Sequence, residues 1–208
     1  MEKINENRKN LSTKDIIQRF PVRESELDRF KFGKKWYRET TSSSHKNCIL
    51  CLDVGSGHKP FPMANLLCDP FPRPHPDRKM RELETENKPF VQCDGRHLPF
   101  RSQIFDFVTS YYTIEHVDNP EDLVSELKRV AKHGYLQCPS QFNEFLYGED
   151  VHKWIIIKKN NHLYAIRNKT NSIKLGFFFN RLYSLNYWKI IHAMIDETFN
   201  IFSIKYTF

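Results

Sequence analysis

With 208 residues, 14% aromatic side chains and a mean hydropathy of −0.62, the chain is polar yet has enough Phe, Tyr and Trp to enclose one domain-sized core. That excludes a disordered polymer, which is poor in aromatics, and no run approaches the roughly 20 consecutive apolar residues of a membrane-spanning helix. The formal charge of +7 divides unevenly, with 12 basic and 7 acidic side chains in residues 1–47, 11 and 16 in 48–150, and 9 and 2 in 151–208. Basic ends thus flank an acidic centre. Such ends attract phosphate or an acidic surface through their long-range field, although solvated Lys and Arg explain them as well. The first thirty residues are charged throughout and show no secretory signal, so the expected location is the cytoplasm.

Residues 1–12 are polar. Residues 13–39 read as helix in pieces, broken near Pro21 with Ile16, Ile17 and Phe20 on one face, and Ser42–Ser44 reads as a short linker. From Cys48 the texture changes to short apolar runs ending in an acid or a turn: Ile49–Asp53, Asn65–Asp69, Phe90–Asp94, Phe105–Ser110 and Tyr135–Cys138. Continuous apolar runs of this length read as parallel strands buried on both faces. Between the last two, Asn119 is placed to cap a helix that Pro120 opens, with Leu123, Val124, Leu127, Val130 and Ala131 at helical spacing and Gly134 after its end. Strands alternating with helix predict an α/β fold, a Rossmann-like doubly wound sheet, mostly parallel with an antiparallel closing strand. The eleven residues between Asp53 and Asn65 include Pro60 and Pro62 and are too few for a full helical crossover. That first crossover is therefore expected to shrink to a turn. After Pro139, His152–Ile157 and His162–Ile166 read as a hairpin, residues 180–198 as a helix and Phe199–Phe208 as the closing strand.

Five cysteines, Cys48, Cys51, Cys68, Cys93 and Cys138, form an odd set that argues against a disulfide framework. Cys48 and Cys51 make one C-x-x-C with no second pair at zinc-ribbon spacing, so no metal is expected. All five fall in or beside apolar runs, and buried reduced thiols account for them.

The sharpest motif is Leu52-Asp53-Val54-Gly55-Ser56-Gly57 directly after the first strand. Glycines there let the backbone turn tightly and let a ligand approach without meeting a Cβ. Ligands of open α/β sheets bind outside the strands' carboxyl ends. Asp69, ending the second strand, is placed for two ribose hydroxyls, and Asp94, ending the third, for an exocyclic amino group. The third glycine of a dinucleotide fingerprint is missing, since His58, Lys59 and Pro60 follow Gly57, and the acidic centre suits a cationic cofactor better than an anionic one.

These motifs, together with Asp94-Gly95-Arg96-His97-Leu98-Pro99-Phe100, Phe105-Asp106-Phe107-Val108, Glu115-His116-Val117-Asp118-Asn119-Pro120 and Glu126-Leu127-Lys128-Arg129-Val130, resemble class I S-adenosylmethionine-dependent methyltransferases, and among them the small type 11 group. The resemblance spans residues 48–140. It implies S-adenosyl-L-methionine as cofactor, with Asp53, Gly55 and Gly57 around its methionine part, Asp69 at the ribose, Asp94 and the Gly95 backbone at adenine, and Tyr111 beneath the sulfonium. Simpler roles stand beside these: Asp53 ordering its own glycine turn, Asp69 starting a turn before Pro70, and Asp94-Gly95 as a turn in itself. The implied reaction is in-line methyl transfer, in which the cofactor carries the reactivity and the protein supplies alignment. Candidate catalytic groups are His116, Glu115 and His152, the last in a His-Lys-Trp segment beyond the fifth strand.

The implied domain order is a helical, polar extension over 1–47, a cofactor-binding core over 48–140, and an acceptor side over 141–208. A small-molecule acceptor is the expected partner. Nucleic acid is not supported by motif, because Ser110-Tyr111-Tyr112-Thr113 stands where an Asn/Asp-Pro-Pro-aromatic signature would. The alternatives are an RNA- or protein-directed methyltransferase that uses the basic termini, and a cofactor-binding module without catalysis.

Overall fold

A computed structural model describes residues 30–42, 49–160, 162–168 and 202–208. The helix expected at 180–198, most of the helical reading before residue 30, Ser43, Ser44 and Cys48 lie outside these residues. In chain order the elements are α1 (Lys31–Thr41), β1 (Cys51–Val54), β2 (Leu66–Asp69), a 3₁₀ turn at Pro76–Arg78, β3 (Phe90–Gln92), β4 (Phe105–Tyr111), α2 (Pro120–Val130), β5 (Ala131–Pro139), α3 (Gln141–Tyr147), β6 (Trp154–Lys159), β7 (His162–Arg167) and β8 (Ser203–Thr207). Six strands form one sheet in the order β3-β2-β1-β4-β5-β8. The first five are parallel and β8 lies antiparallel to β5, Leu136 opposite Tyr206. Strands β6 and β7 pair as a separate antiparallel hairpin.

The apolar runs place the strands because β1, β4 and most of β5 are buried on both faces. On one face, Leu123, Leu127 and Val130 of α2 pack against Leu52, Val54 and Val108. On the other, Phe30, Trp36 and Tyr37 beside and along α1 pack on Phe61, Phe107, Tyr111 and Tyr135. The rings of Phe30 and Tyr111 meet edge-on with centroids 4.8 Å apart. Gly33 permits this contact, because the Tyr111 hydroxyl lies where a Cβ would stand. Asn119 caps α2, its Oδ1 accepting from Glu121 N at 3.1 Å, with Pro120 in the first turn.

Two local expectations change. The helix ends at Val130, and Ala131 starts β5 without an intervening turn, so Gly134 lies inside a strand rather than behind the helix. There it is needed for packing: the Phe208 ring occupies the position a side chain would take. His133 sits in β5 opposite Phe107.

The β1–β2 crossover contains no helix, as its length and two prolines require. A single side chain takes over the covering role. Phe61 is fully buried, stacked near Tyr111 and edge-on to Phe30 and Tyr37. Cys51, Cys68, Cys93 and Cys138 are free thiols, three of them buried. No helix among the described residues is long and apolar enough to cross a membrane.

Candidate functional site

A cavity of about 920 Å³ opens at the carboxyl ends of the parallel strands. Its walls are the glycine turn after β1, the loop after β2, the segment after β4, and α3 with the chain leading into β6. The turn is built on left-handed backbone: Gly55 and Gly57 have φ of +72° and +57°. A side chain at Gly55 would also collide with Thr113. Gly55 N donates to Cys68 O at 2.8 Å, which ties the turn to the end of β2.

The carboxylates expected at the cofactor end are all held by the protein itself. Asp53 is buried and is not among the residues lining the cavity. Its Oδ2 accepts from Phe61 N at 2.7 Å and its Oδ1 from Thr109 Oγ1 at 2.8 Å, so it draws the shortened crossover back onto the sheet. Asp69 does line the cavity. Its Oδ2 accepts from Gly57 N at 3.1 Å, and its Oδ1 from Phe71 N at 2.9 Å and Arg78 Nη1 at 3.0 Å. Burial raises the Asp69 pKa against these three donors. A carboxylate offers about four acceptor positions, so a position on Oδ2 remains for a ligand hydroxyl. Asp94 is clamped by Arg96, whose Nη2 lies 2.7 Å from Oδ2, and this bond holds its pKa below the usual range. Gly95 is absent from the cavity wall. It serves close packing, since a Cβ there would press on Leu123 and Val54 at 2.8 Å. Tyr111 lines the cavity while its ring belongs to the aromatic cluster beneath α1.

The other end of the cavity brings together Glu115, His116 and His152, which lie 37 residues apart at the extremes. Lys153 N and Trp154 N both donate to Glu115 O, at 2.8 and 3.2 Å, and Trp154 Nε1 donates to Val117 O at 2.8 Å. These bonds strap the start of β6 to the segment after β4. The His116 and His152 rings stand edge to face with centroids 4.8 Å apart. His152 Nδ1 is 2.6 Å from Glu144 Oε1. Ser140 caps α3, accepting from Asn143 N, and so fixes the helix that carries Glu144.

The electrostatics of this end follow from burial. Glu115 is 1% exposed, and neither of its carboxylate oxygens has a hydrogen-bond partner among the described residues. Burial pushes its pKa up to about 7, with Glu144 and Glu149 adding to the rise and His152 opposing it. Burial and the neighbouring His152 push His116 down to about 4. Burial also works against charge on His152, but the bond to Glu144 and the nearby carboxylates prevail and raise its pKa. The cluster therefore holds two imidazoles with opposite preferences beside an acid that titrates near neutrality, the arrangement expected where protons move.

Arg78, Arg96 and Glu144 escape the sequence reading. Arg96 carries a weak signal, because it follows Asp94 by two residues and a turn brings such neighbours together. Arg78 and Glu144 reach their partners across loops of no fixed period, and no local pattern marks them.

Residues 52–136 match the family model described as a methyltransferase domain. Over 92 residues the chain is 27% identical to the ubiquinone/menaquinone biosynthesis C-methyltransferase of Desulfotalea psychrophila, covering 41% of this chain and 37% of that protein. It thus spans little more than a third of that relative's length. Among solved structures, a methyltransferase of Thermotoga maritima, described as a possible histamine N-methyltransferase, is 21% identical with a TM-score of 0.37, covering 62% of each chain. The phosphoethanolamine N-methyltransferase 2 of Haemonchus contortus, in complex with S-adenosyl-L-methionine, is 16% identical with a TM-score of 0.39, covering 53% of this chain and 28% of that one. The matched segment runs from β1 and its glycine turn through Glu115 and His116 into β5, and over these residues the chain is similar to a methyltransferase domain.

Proposed function

We propose that this chain is an S-adenosylmethionine-dependent methyltransferase acting on an oxygen or nitrogen nucleophile of a small acceptor. The observation that carries the reading is one cavity with two unlike ends: a left-handed glycine turn beside Asp69 at one, and the Glu115–His116–His152 wall at the other. The residues present fit the cofactor. Gly55 and Gly57 leave the approach free of side chains, Asp69 retains acceptor capacity for ribose hydroxyls, and Asp94 with Arg96 flanks the place for the base. Asp53 supports the cradle from behind by anchoring Phe61, and Tyr111 forms its floor. In this reading residues 48–140 hold the cofactor, 141–208 shape the acceptor side, and α1 belongs to the covering layer.

When bound, the cofactor supplies an electrophilic methyl group on a sulfonium. The chain's own work is positioning and proton handling. Glu115, His116 and His152 line the acceptor side, with Glu144 orienting the His152 ring through Nδ1 and leaving Nε2 toward an acceptor. The proton of a hydroxyl or ammonium acceptor is taken up on this wall. The acceptor end is walled by α3 and the chain leading into β6, which suits a small molecule.

Isothermal titration with S-adenosylmethionine and its demethylated product tests the cofactor half, and transfer of labelled methyl groups into a fractionated small-molecule extract tests the acceptor half. Saturable binding and label in the small-molecule fraction are expected. Absence of binding at millimolar cofactor refutes the reading, and label confined to RNA or protein overturns the acceptor class.

A further inference from the structure

The proton-handling wall is also a set of ligands. One ligand atom each from Glu115, His116 and His152 lies within 4.8 Å of the others. A cation bonded to nitrogen and oxygen at about 2.1 Å holds neighbouring ligands about 3 Å apart and opposite ones about 4.2 Å apart, so sub-ångström side-chain movements close the set. Independent of this spacing, four buried polar atoms here lack hydrogen-bond partners among the described residues, with Asp77 Oδ1 facing His116 Nδ1 only at 3.8 Å. Both oxygens of Glu115, Nδ1 of His116 and Oε2 of Glu144 have no hydrogen bond among the described residues. Glu115 is 99% shielded from solvent, as its 1% exposure states. Buried polar groups are normally satisfied, and four such atoms in one corner of a cavity point to a missing ligand. The His152 Nδ1 contact to Glu144 Oε1 at 2.6 Å repeats the carboxylate–histidine arrangement that orients an imidazole for a metal and frees its Nε2.

We propose that Glu115, His116 and His152 bind one divalent transition-metal cation at the acceptor end of the cavity, with Glu144 as the positioning residue for His152. Two imidazoles and one carboxylate suit zinc, iron, cobalt or manganese better than magnesium or calcium, which favour all-oxygen shells. The three ligands all line the cavity, so the remaining coordination positions open onto it. An acceptor that completes the shell brings an oxygen or nitrogen donor, in keeping with the acceptor class of the reading above. The cation site itself does not depend on methyl transfer.

The test uses the full chain, stripped with a chelator and titrated with Co²⁺, Mn²⁺ and Zn²⁺, following cobalt absorption and heat. One saturable site per chain is expected, with a visible cobalt band that grows to equivalence. Glu115→Gln, which keeps the side chain's shape, and His152→Ala are each expected to weaken binding at least a hundredfold. Glu144→Gln is expected to weaken it by 10–100-fold, the range for a lost orienting partner. His97→Ala, outside the cavity, serves as the unchanged control. A wild-type titration without a saturable band, or equal affinity in wild type and Glu115→Gln, overturns the proposal. Cofactor titration of the same stripped protein separates the two readings: cofactor binding without cation binding removes only the metal site, and cation binding without cofactor binding removes only the methyltransferase reading.

Discussion

Replacing Glu115 with Gln is expected to remove a large pH dependence of stability and to leave the fold intact. In the native protein the carboxyl is fully enclosed, and burial lifts its pKa from an ordinary 4.5 to about 7. The folded state therefore binds a proton that the unfolded chain has already released between those two values. Stability from this group is complete below pH 4.5 and is lost as the pH rises to about 7. At about 1.36 kcal/mol for each pH step, the span from 4.5 to about 7 corresponds to about 3 kcal/mol. Gln keeps the shape and never ionises. Urea denaturation with a chelator present, run from pH 4.5 to 8, should show wild type falling relative to Glu115→Gln by about 3 kcal/mol, most of it before pH 7. Parallel stability curves for the two proteins would refute the argument, because they would mean that Glu115 is solvated or paired in solution.

Arg78→Ala leaves the buried Asp69 carboxylate without its cation and should cost about 3–5 kcal/mol in denaturant unfolding; a loss below about 1 kcal/mol would show that the pair is solvated. Gly33→Ala sits in α1, where Ala ordinarily adds about 1 kcal/mol, yet the Tyr111 hydroxyl fills the space and the overpacked variant should lose about 1–3 kcal/mol instead. Asp53→Ala removes the acceptor for Phe61 N and Thr109 Oγ1 and should lower unfolding stability by about 1–3 kcal/mol, with cofactor affinity affected less than in Asp94→Ala. Asp94→Ala should weaken cofactor binding in calorimetry by about tenfold through the loss of one half-buried polar contact, while its thermal stability stays near wild type.

Much of the fold was legible because burial writes itself into short apolar runs. All five parallel strands fall on the runs read from the sequence, and the proline-rich crossover declared its lack of a helix. The helix end at Val130 was not legible, because a glycine four residues on looks the same whether it stops a helix or makes room for a ring such as Phe208. At the site, the residue types stood out but their partners did not. Asp53, Asp69 and Asp94 mark strand ends in any reading. That Asp53 turns toward Phe61, and that Arg78 and Arg96 engage the other two, depends on loop paths with no period. The meeting of His152 with Glu115 and His116 likewise depends on two backbone bonds to a single carbonyl, which no side-chain pattern encodes.

The arginine clamps on Asp69 and Asp94 bear on the speed of ligand capture. Asp69 and Asp94 each face a guanidinium within hydrogen-bond reach, so these paired charges cancel over distances beyond the pocket mouth. Little field extends outward to guide a cationic visitor through solution. Stopped-flow capture of a positively charged sulfonium compound should accordingly proceed at nearly the same rate in dilute and concentrated salt.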